Sequence, residues 1–307
     1  MKAARIHQFG PPEVVVIEEL HRPGPGAGEL VVRVQAAGVA PWDAIIREGK
    51  SKVSPKPPLT LGSDLSGVVE AVGDGVTGFR VGQEVYGVTN AQFCGAHAEY
   101  AVASASMVGL KPQRLSHLEA ASAPVIAVTA WQMLFEYAKV ARGQSVLILG
   151  AAGNVGAFAV QLAKDAGLRI AATAAADGHG FLSKLGAETV VDYRAQNYQR
   201  DIPQVDVILD LVGGATVNDV MRKLKPSGIL VSVASTNTLP QRPDARSVFF
   251  YAEVTTSRLA VLTKMFDAGT ITPRVGSVLP IAQARQAHYM LAGAPHQKGK
   301  IVLDMTR

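Results

Sequence analysis

Apolar residues recur along this chain with two different periods. Up to about residue 120, β-branched clusters such as Val14–Ile17, Leu30–Val34 and Gly67–Ala71 are separated by Gly and Pro punctuation such as RPGPGAGE and GDGVTGFRVGQ. That pattern predicts short strands built into a small barrel or sandwich. Between Leu118 and Val140 the apolar positions take up helical spacing with few breakers. Beyond that point strand and helix patterns alternate.

Ser145–Leu149 is a continuous apolar run, as expected of a strand buried on both faces. Asn154–Ala166 has helical spacing and stops at Gly167, and Arg169–Thr173 reads as the next strand. A short helix ending in Leu185–Ala187 precedes further strands at Thr189–Val191, Val207–Leu211 and Ile229–Val233, with a helix at Thr216–Leu224. Strands alternating with helices of this length predict an α/β fold with a doubly wound parallel sheet of the Rossmann type. An amphipathic helix (Ile281–Leu291) and a last strand (Lys300–Leu303) close the chain, and that strand is expected to return to the β-rich part. The expected division is a discontinuous β-rich domain, residues 1–120 and 268–307, around an α/β domain, residues 121–267.

Length agrees with two domains, since 307 residues exceed the usual single-domain size. The net charge of +5 is spread over scattered Lys and Arg residues with no stripe to track a phosphate backbone, so no nucleic-acid partner is expected. One cysteine, Cys94, rules out an internal disulfide and any cysteine-cluster zinc site. The chain shows neither a secretory h-region at its start nor about 18 consecutive apolar residues. A cytoplasmic protein without a membrane partner is expected.

The segment with the clearest chemistry is SVLILGAAGNVGAFAVQLAK, Ser145–Lys164. An apolar strand runs into Gly150, Gly153 and Gly156, and a helix follows at once. Glycines permit the tight turn and a close backbone approach to a pyrophosphate, while the helix N-terminus offers free amides and the positive end of its dipole. Ala152, Asn154 and Val155 complete the expected cradle. NAD-specific sites usually place a carboxylate at the end of the second strand. Here Ala171-Ala172-Thr173-Ala174 has none, which favours NADPH, although Asp177 close by would oppose a 2′-phosphate and NADH stays possible. Tyr193 is positioned either to meet the adenosine end or to pack a loop. Val212 and Gly213 follow a strand at the carboxyl edge of the sheet, where ligands bind in open α/β folds.

Taken together, the motifs GVAPWDAIIREG (Gly38–Gly49), LGSDLSGVVEAVG (Leu61–Gly73), VGQEVYG (Val81–Gly87), AHAEYAV (Ala96–Val102), VTAWQMLF (Val128–Phe135), DLVGG (Asp210–Gly214) and KGKIVL (Lys298–Leu303), with the glycine turn in register, are informative. The chain resembles the zinc-independent, zeta-crystallin-like quinone oxidoreductase branch of the medium-chain dehydrogenase/reductase superfamily over nearly its whole length. The resemblance implies a GroES-like catalytic domain, NADPH, a small quinone or enone substrate and a homodimer. It places Thr129 beside the nicotinamide, with Trp42, Ile45, Asn90 and Phe93 lining the substrate side. Three departures stand out. Zinc-dependent relatives carry Gly-His-Glu where this chain has Gly62-Ser63-Asp64, and the zinc-free branch commonly has Asn where this chain has Ala40. A Tyr of some quinone reductases is here Ile45. No zinc is expected, and no catalytic side chain is assigned.

Physical chemistry supports the same substrate class independently. A conjugated acceptor delocalises incoming charge onto oxygen, whereas a simple ketone gains far more from a Lewis acid. Asp43 is expected to cap a helix and Asp64 to orient backbone, with Tyr86 packed on a strand, Cys94 buried and His97 at the surface. The apolar run Ser247–Val254 is expected to be an edge strand that pairs with a second copy. The rival reading is a nucleotide-binding sensor or structural protein with little turnover.

Overall fold

Apolar runs with no polar interruption become the central strands of the parallel sheet, and Gly-punctuated runs become the strands of the remainder, among them the longest, Glu29–Val39. A computed structural model describes residues 1–234 and 239–307. They form two units, Met1–Val125 with Val254–Arg307, and Ile126–Glu253.

The split unit begins with β1 (Lys2–Ile6), β2 (Val16–Glu19), β3 (Glu29–Val39), α1 (Pro41–Arg47), β4 (Leu59–Thr60), β5 (Asp64–Val72), β6 (Glu84–Val88), β7 (Tyr100–Ser104), β8 (Val108–Leu110) and α2 (His117–Ala121). Helix α3 (Pro124–Trp131) follows. The second unit continues with β9 (Ser145–Leu149), α4 (Asn154–Asp165), β10 (Arg169–Ala174), α5 (His179–Leu185), β11 (Thr189–Asp192), β12 (Val205–Asp210), α6 (Ala215–Val220), β13 (Leu224–Ser232) and β14 (Arg246–Phe249). The chain then returns to the split unit through α7 (Thr256–Asp267), β15 (Val275–Pro280), α8 (Ala284–Leu291) and β16 (Lys300–Asp304).

The second unit carries a parallel sheet in the order β11-β10-β9-β12-β13-β14. The chain winds outward from β9 to one edge, then crosses to β12 and winds to the other. The carboxyl ends of β9 and β12 therefore form the switch point at which such sheets bind ligands. Every residue of β9 is buried, as its unbroken apolar run requires. Helix α4 ends where Gly167 takes a left-handed φ of 72° that a side chain would resist.

In the split unit one sheet runs β15-β16-β3-β5-β6-β8, with β7 also on β3, and a smaller one runs β2-β1-β4. The last strand does return as expected: β16 lies antiparallel to β3, with Val302 opposite Gly38. Two details differ from the sequence reading. The expected boundary at residue 267 falls after α7, but α7 packs on β8, with Leu259 Cβ set to lie 3.1 Å from a Cβ on Gly109 and Tyr86 Oη donating to the Leu259 carbonyl at 2.9 Å. The expected strand Ser247–Val254 pairs only over Arg246–Phe249. Past that point Phe250 stacks on Tyr137 at 4.1 Å and the Glu253 amide donates to Gln132 Oε1 at 3.0 Å, so side chains of the helical turn Gln132–Tyr137, which follows α3, replace the ladder. Among the described residues no helix is long and apolar enough to cross a membrane.

Candidate functional site

At the end of β9 the chain turns sharply. Gly150 has a φ of 72°, its amide lies 3.4 Å from Thr173 Oγ1, and the Gly153 amide donates to the Gly150 carbonyl at 3.0 Å. Gly153 is the N-cap of α4 with extended φ and ψ, and the first helical hydrogen bond to it comes from the Ala157 amide. The amides of Asn154, Val155 and Gly156 are thus the first-turn donors that a helix cannot satisfy itself. A Cβ on Gly156 would stand 2.6 Å from both the Ala151 Cα and the Gly150 carbonyl oxygen. The helix therefore sits against its own entry turn only because that side chain is absent. The arrangement is an anion cradle of main-chain amides reinforced by the α4 dipole.

The neighbouring strand end is shaped by Asp210. Its buried carboxylate accepts from the amides of Val212 (3.0 Å) and Gly213 (2.8 Å) and from Ser232 Oγ (2.7 Å). These bonds fold the loop so that Val212 is exposed and lies beside the glycine turn, 2.9 Å from where a Gly150 Cβ would be. At the end of β10 the buried Ala174 accepts from the Tyr193 amide at 3.4 Å. Tyr193 is half-exposed, with the Arg194 guanidinium 5.6 Å from its ring centre. Arg194 was not singled out from the sequence; its signal was a lone cation directly after the Tyr. Thr129 is buried on α3. The candidates in the glycine turn, with Tyr193, Val212 and Gly213, thus fall at the carboxyl edge of one sheet, while Thr129 lies apart from them in sequence on α3.

The substrate-side candidates lie in the split unit, on and near α1. Trp42 donates its indole N–H to Ser63 Oγ at 2.9 Å and meets Phe93 edge-on at 6.5 Å. The ammonium of Lys300 lies 4.5 Å from the indole centre, within cation–π range. That ammonium is itself paired with Asp64 at 2.8 Å, and both side chains are almost wholly buried. Asp64 also accepts from the Val125 amide, so it does hold backbone as expected. Asp43 accepts from the Ala40 amide at 2.8 Å at the start of α1, its expected local role. Burial pushes its carboxyl up to about 7, with Lys300 opposing and Asp64 adding to the rise. Burial likewise raises Asp64 above the usual carboxylate range, against the pull of Lys300. The pull of one buried ammonium does not offset the burial of two carboxyl groups, and both rise.

Ile45 is exposed on α1. Asn90 spends its amide inside its own loop, donating to the Cys94 carbonyl at 2.9 Å and accepting from the Gln92 amide at 2.9 Å. It shapes the turn that carries Phe93, whose φ is 57°. His97 corrects the sequence reading: it is fully buried, not at the surface. Gly62, with a φ of 86°, leaves room for its ring, since a Cβ there would lie 2.1 Å from His97 Cδ2. Cys94 is half-buried, and burial raises its thiol pKa. Tyr86 packs on β6 as expected, fully buried, its hydroxyl bonded to Leu259 and Thr263.

Zinc coordination needs three or four converging Cys, His or acidic side chains. Among the described residues no group of three or more such side chains is placed to hold a metal ion. Ser63, at the position of the zinc relatives' histidine, is committed to the Trp42 indole. These side chains do not fit a zinc ion.

Comparison with known proteins gives two family matches, the alcohol dehydrogenase GroES-like domain over residues 26–113 and the zinc-binding dehydrogenase family over residues 185–303. A quinone oxidoreductase from Sus scrofa is 31% identical over 322 residues, covering 99% of this chain and 97% of the relative, and the Homo sapiens protein is 30% identical with the same coverage. The solved quinone oxidoreductase of Coxiella burnetii superposes with a TM-score of 0.91 at 32% identity, covering 99% of both chains. A mycobacterial protein solved in complex with NADPH superposes at 0.87 with 29% identity and 99% coverage of each. A pyridine-nucleotide turn, a split GroES-like unit and relatives matched from end to end agree: the chain belongs to the quinone oxidoreductase branch of the medium-chain dehydrogenase/reductase superfamily.

Proposed function

We propose that this oxidoreductase is a zinc-independent, NADPH-dependent reductase of quinones or α,β-unsaturated carbonyl compounds, acting as a homodimer in the cytoplasm. The observation that carries the reading is the Gly150–Gly156 turn, whose fit to its helix leaves the first-turn amides of α4 free for a diphosphate. The Ser63–Trp42 hydrogen bond, at the position where zinc-dependent relatives carry histidine, is the second support, because it leaves acceptor polarisation to conjugation within the substrate.

In this reading Gly150, Ala152, Gly153, Asn154, Val155 and Gly156 bind the pyrophosphate through backbone. Thr129, Val212 and Gly213 orient the nicotinamide, and Asp210 holds that loop in place. Tyr193 and Arg194 receive the adenosine end, where Ala174 leaves space for a 2′-phosphate. NADPH, when bound, supplies the hydride. Trp42, Ile45 and Phe93 present an apolar wall that excludes water and suits a planar acceptor. Asn90 supports that wall by fixing the Phe93 turn. No side chain is assigned as proton donor, and the reduced product takes its proton from water. The outer edge of β14, last in the strand order, supplies the surface on which two copies pair.

The test is calorimetric titration of NADPH against NADH, followed by NADPH oxidation with a panel of quinones and enones and metal analysis of the active protein. The reading requires tighter NADPH binding, turnover with a conjugated acceptor, and activity that survives chelation. Tight binding without turnover would favour the sensor reading. A single-copy mass by light scattering at micromolar concentration would remove the dimer.

A further inference from the structure

Two buried imidazoles in the split unit have tautomers fixed by their neighbours. His97 Nε2 lies 3.0 Å from the Gly38 carbonyl oxygen. A carbonyl only accepts, so Nε2 carries the ring proton and Nδ1 presents a lone pair. His288 Nδ1 lies 3.0 Å from Arg47 Nη1. A guanidinium only donates, so His288 accepts at Nδ1 and carries its proton on Nε2. Both residues are fully buried, and the two remaining nitrogens, His97 Nδ1 and His288 Nε2, are enclosed with no hydrogen-bond partner among the described residues. The rings stand 6.3 Å apart between centres, inclined at 73°. One enclosed acceptor and one enclosed donor thus occur on neighbouring rings.

We propose that His97 Nδ1 and His288 Nε2 are a binding site for a single water molecule. The donor and acceptor pattern selects the ligand class. A metal cation is refused because His288 presents an N–H, and because the Arg47 and Lys300 charges nearby repel it. An anion is refused by the lone pair of His97. A small molecule that both donates and accepts satisfies both atoms, and two hydrogen bonds of about 2.9 Å through one oxygen bridge a gap that the rings do not close directly. Burial holds both imidazoles well below their ordinary pKa, His97 at about 4 and His288 at about 3, so the neutral tautomers persist at neutral pH.

The water ties three segments far apart in the chain. Arg47, at the end of α1, also donates Nε to the Gly10 carbonyl at 3.0 Å, and His288 lies on α8. The His97 carbonyl accepts from the Ala4 amide of β1 at 2.8 Å.

A crystal structure of the whole protein that resolves ordered solvent, together with long-range proton–nitrogen spectra of its imidazoles, tests the site without any substitution. Expected are a solvent peak within about 3.2 Å of both nitrogens, Nε2–H tautomers at both rings, and a cross-peak between the His288 ring N–H and a bound-water resonance. A proton on Nδ1 of either ring, a direct hydrogen bond between the imidazoles, an empty position, or a metal or halide peak there would each overturn it. The outcome does not depend on whether the protein binds NADPH.

Discussion

The two units build polar sites by opposite means. In the parallel-sheet unit the glycine turn, residues 150–156, presents main-chain amides that carry no net charge, those of Asn154, Val155 and Gly156 in the first turn of α4. In the split unit Asp43, Asp64, Arg47, His97, His288 and Lys300 bring ionisable side chains from five separate segments into the interior. A backbone cradle is held by shape and tolerates no added atoms. A buried charge cluster is held by balance and tolerates no missing partner.

The largest effect should come from breaking that balance. Lys300→Met keeps the apolar stem but leaves Asp64 without its cation, and is expected to cost about 3–5 kcal/mol in urea unfolding at pH 7. Adding Asp64→Asn should recover part of the loss; equal stabilities for the single and double variants would show that the pair is not coupled. Asp43 gives a pH signature of the same cluster. Its folded pKa is raised from 3.8 to about 7, so its contribution to stability is full in acid and is lost as the pH climbs through that window. Asp43→Asn cannot ionise, and its stability relative to the parent should rise by up to roughly 4 kcal/mol between pH 4 and pH 8. Parallel pH profiles for parent and variant would mean the carboxyl is ionised throughout.

On the cradle side shape decides. Gly156→Val should weaken NADPH binding about 100-fold, or roughly 2.7 kcal/mol, in a titration, with circular dichroism checking that the fold is retained. Unchanged affinity would move the nucleotide elsewhere. The smallest effect belongs to Arg194→Ala, which should reduce the preference for NADPH over NADH about tenfold, or about 1.4 kcal/mol, leaving NADH affinity nearly constant.

The same contrast explains what could be read from the sequence. The turn was legible because strand, glycines and helix are contiguous and each obeys a local rule, and the parallel strands from Ser145 to Val233 followed from their unbroken apolar runs. The cluster was not legible. Lys300 and Asp64 are 236 positions apart, and nothing local to either announces the other. His97 sits in a polar-looking AHAEY stretch, and only the missing side chain of Gly62 makes room for it inside. Trp42 was placed on the substrate side by resemblance, but its bond to Ser63 needed coordinates. The Ser247–Val254 run was read too long as a strand, because aromatic stacking onto Tyr137 competes with the ladder after Phe249.

The position of β16 has a consequence for biosynthesis. On the ribosome the first 125 residues emerge with β3 paired to β5 and β7 but lacking β16 along Ala36–Val39, and with Asp64 lacking its ammonium, while the whole parallel-sheet unit can assemble behind them. The split unit must therefore wait, part-formed and with an open sheet edge, until Lys300 and its strand leave the exit tunnel. Chaperone dependence of the nascent chain should accordingly concentrate in its earliest-made segment.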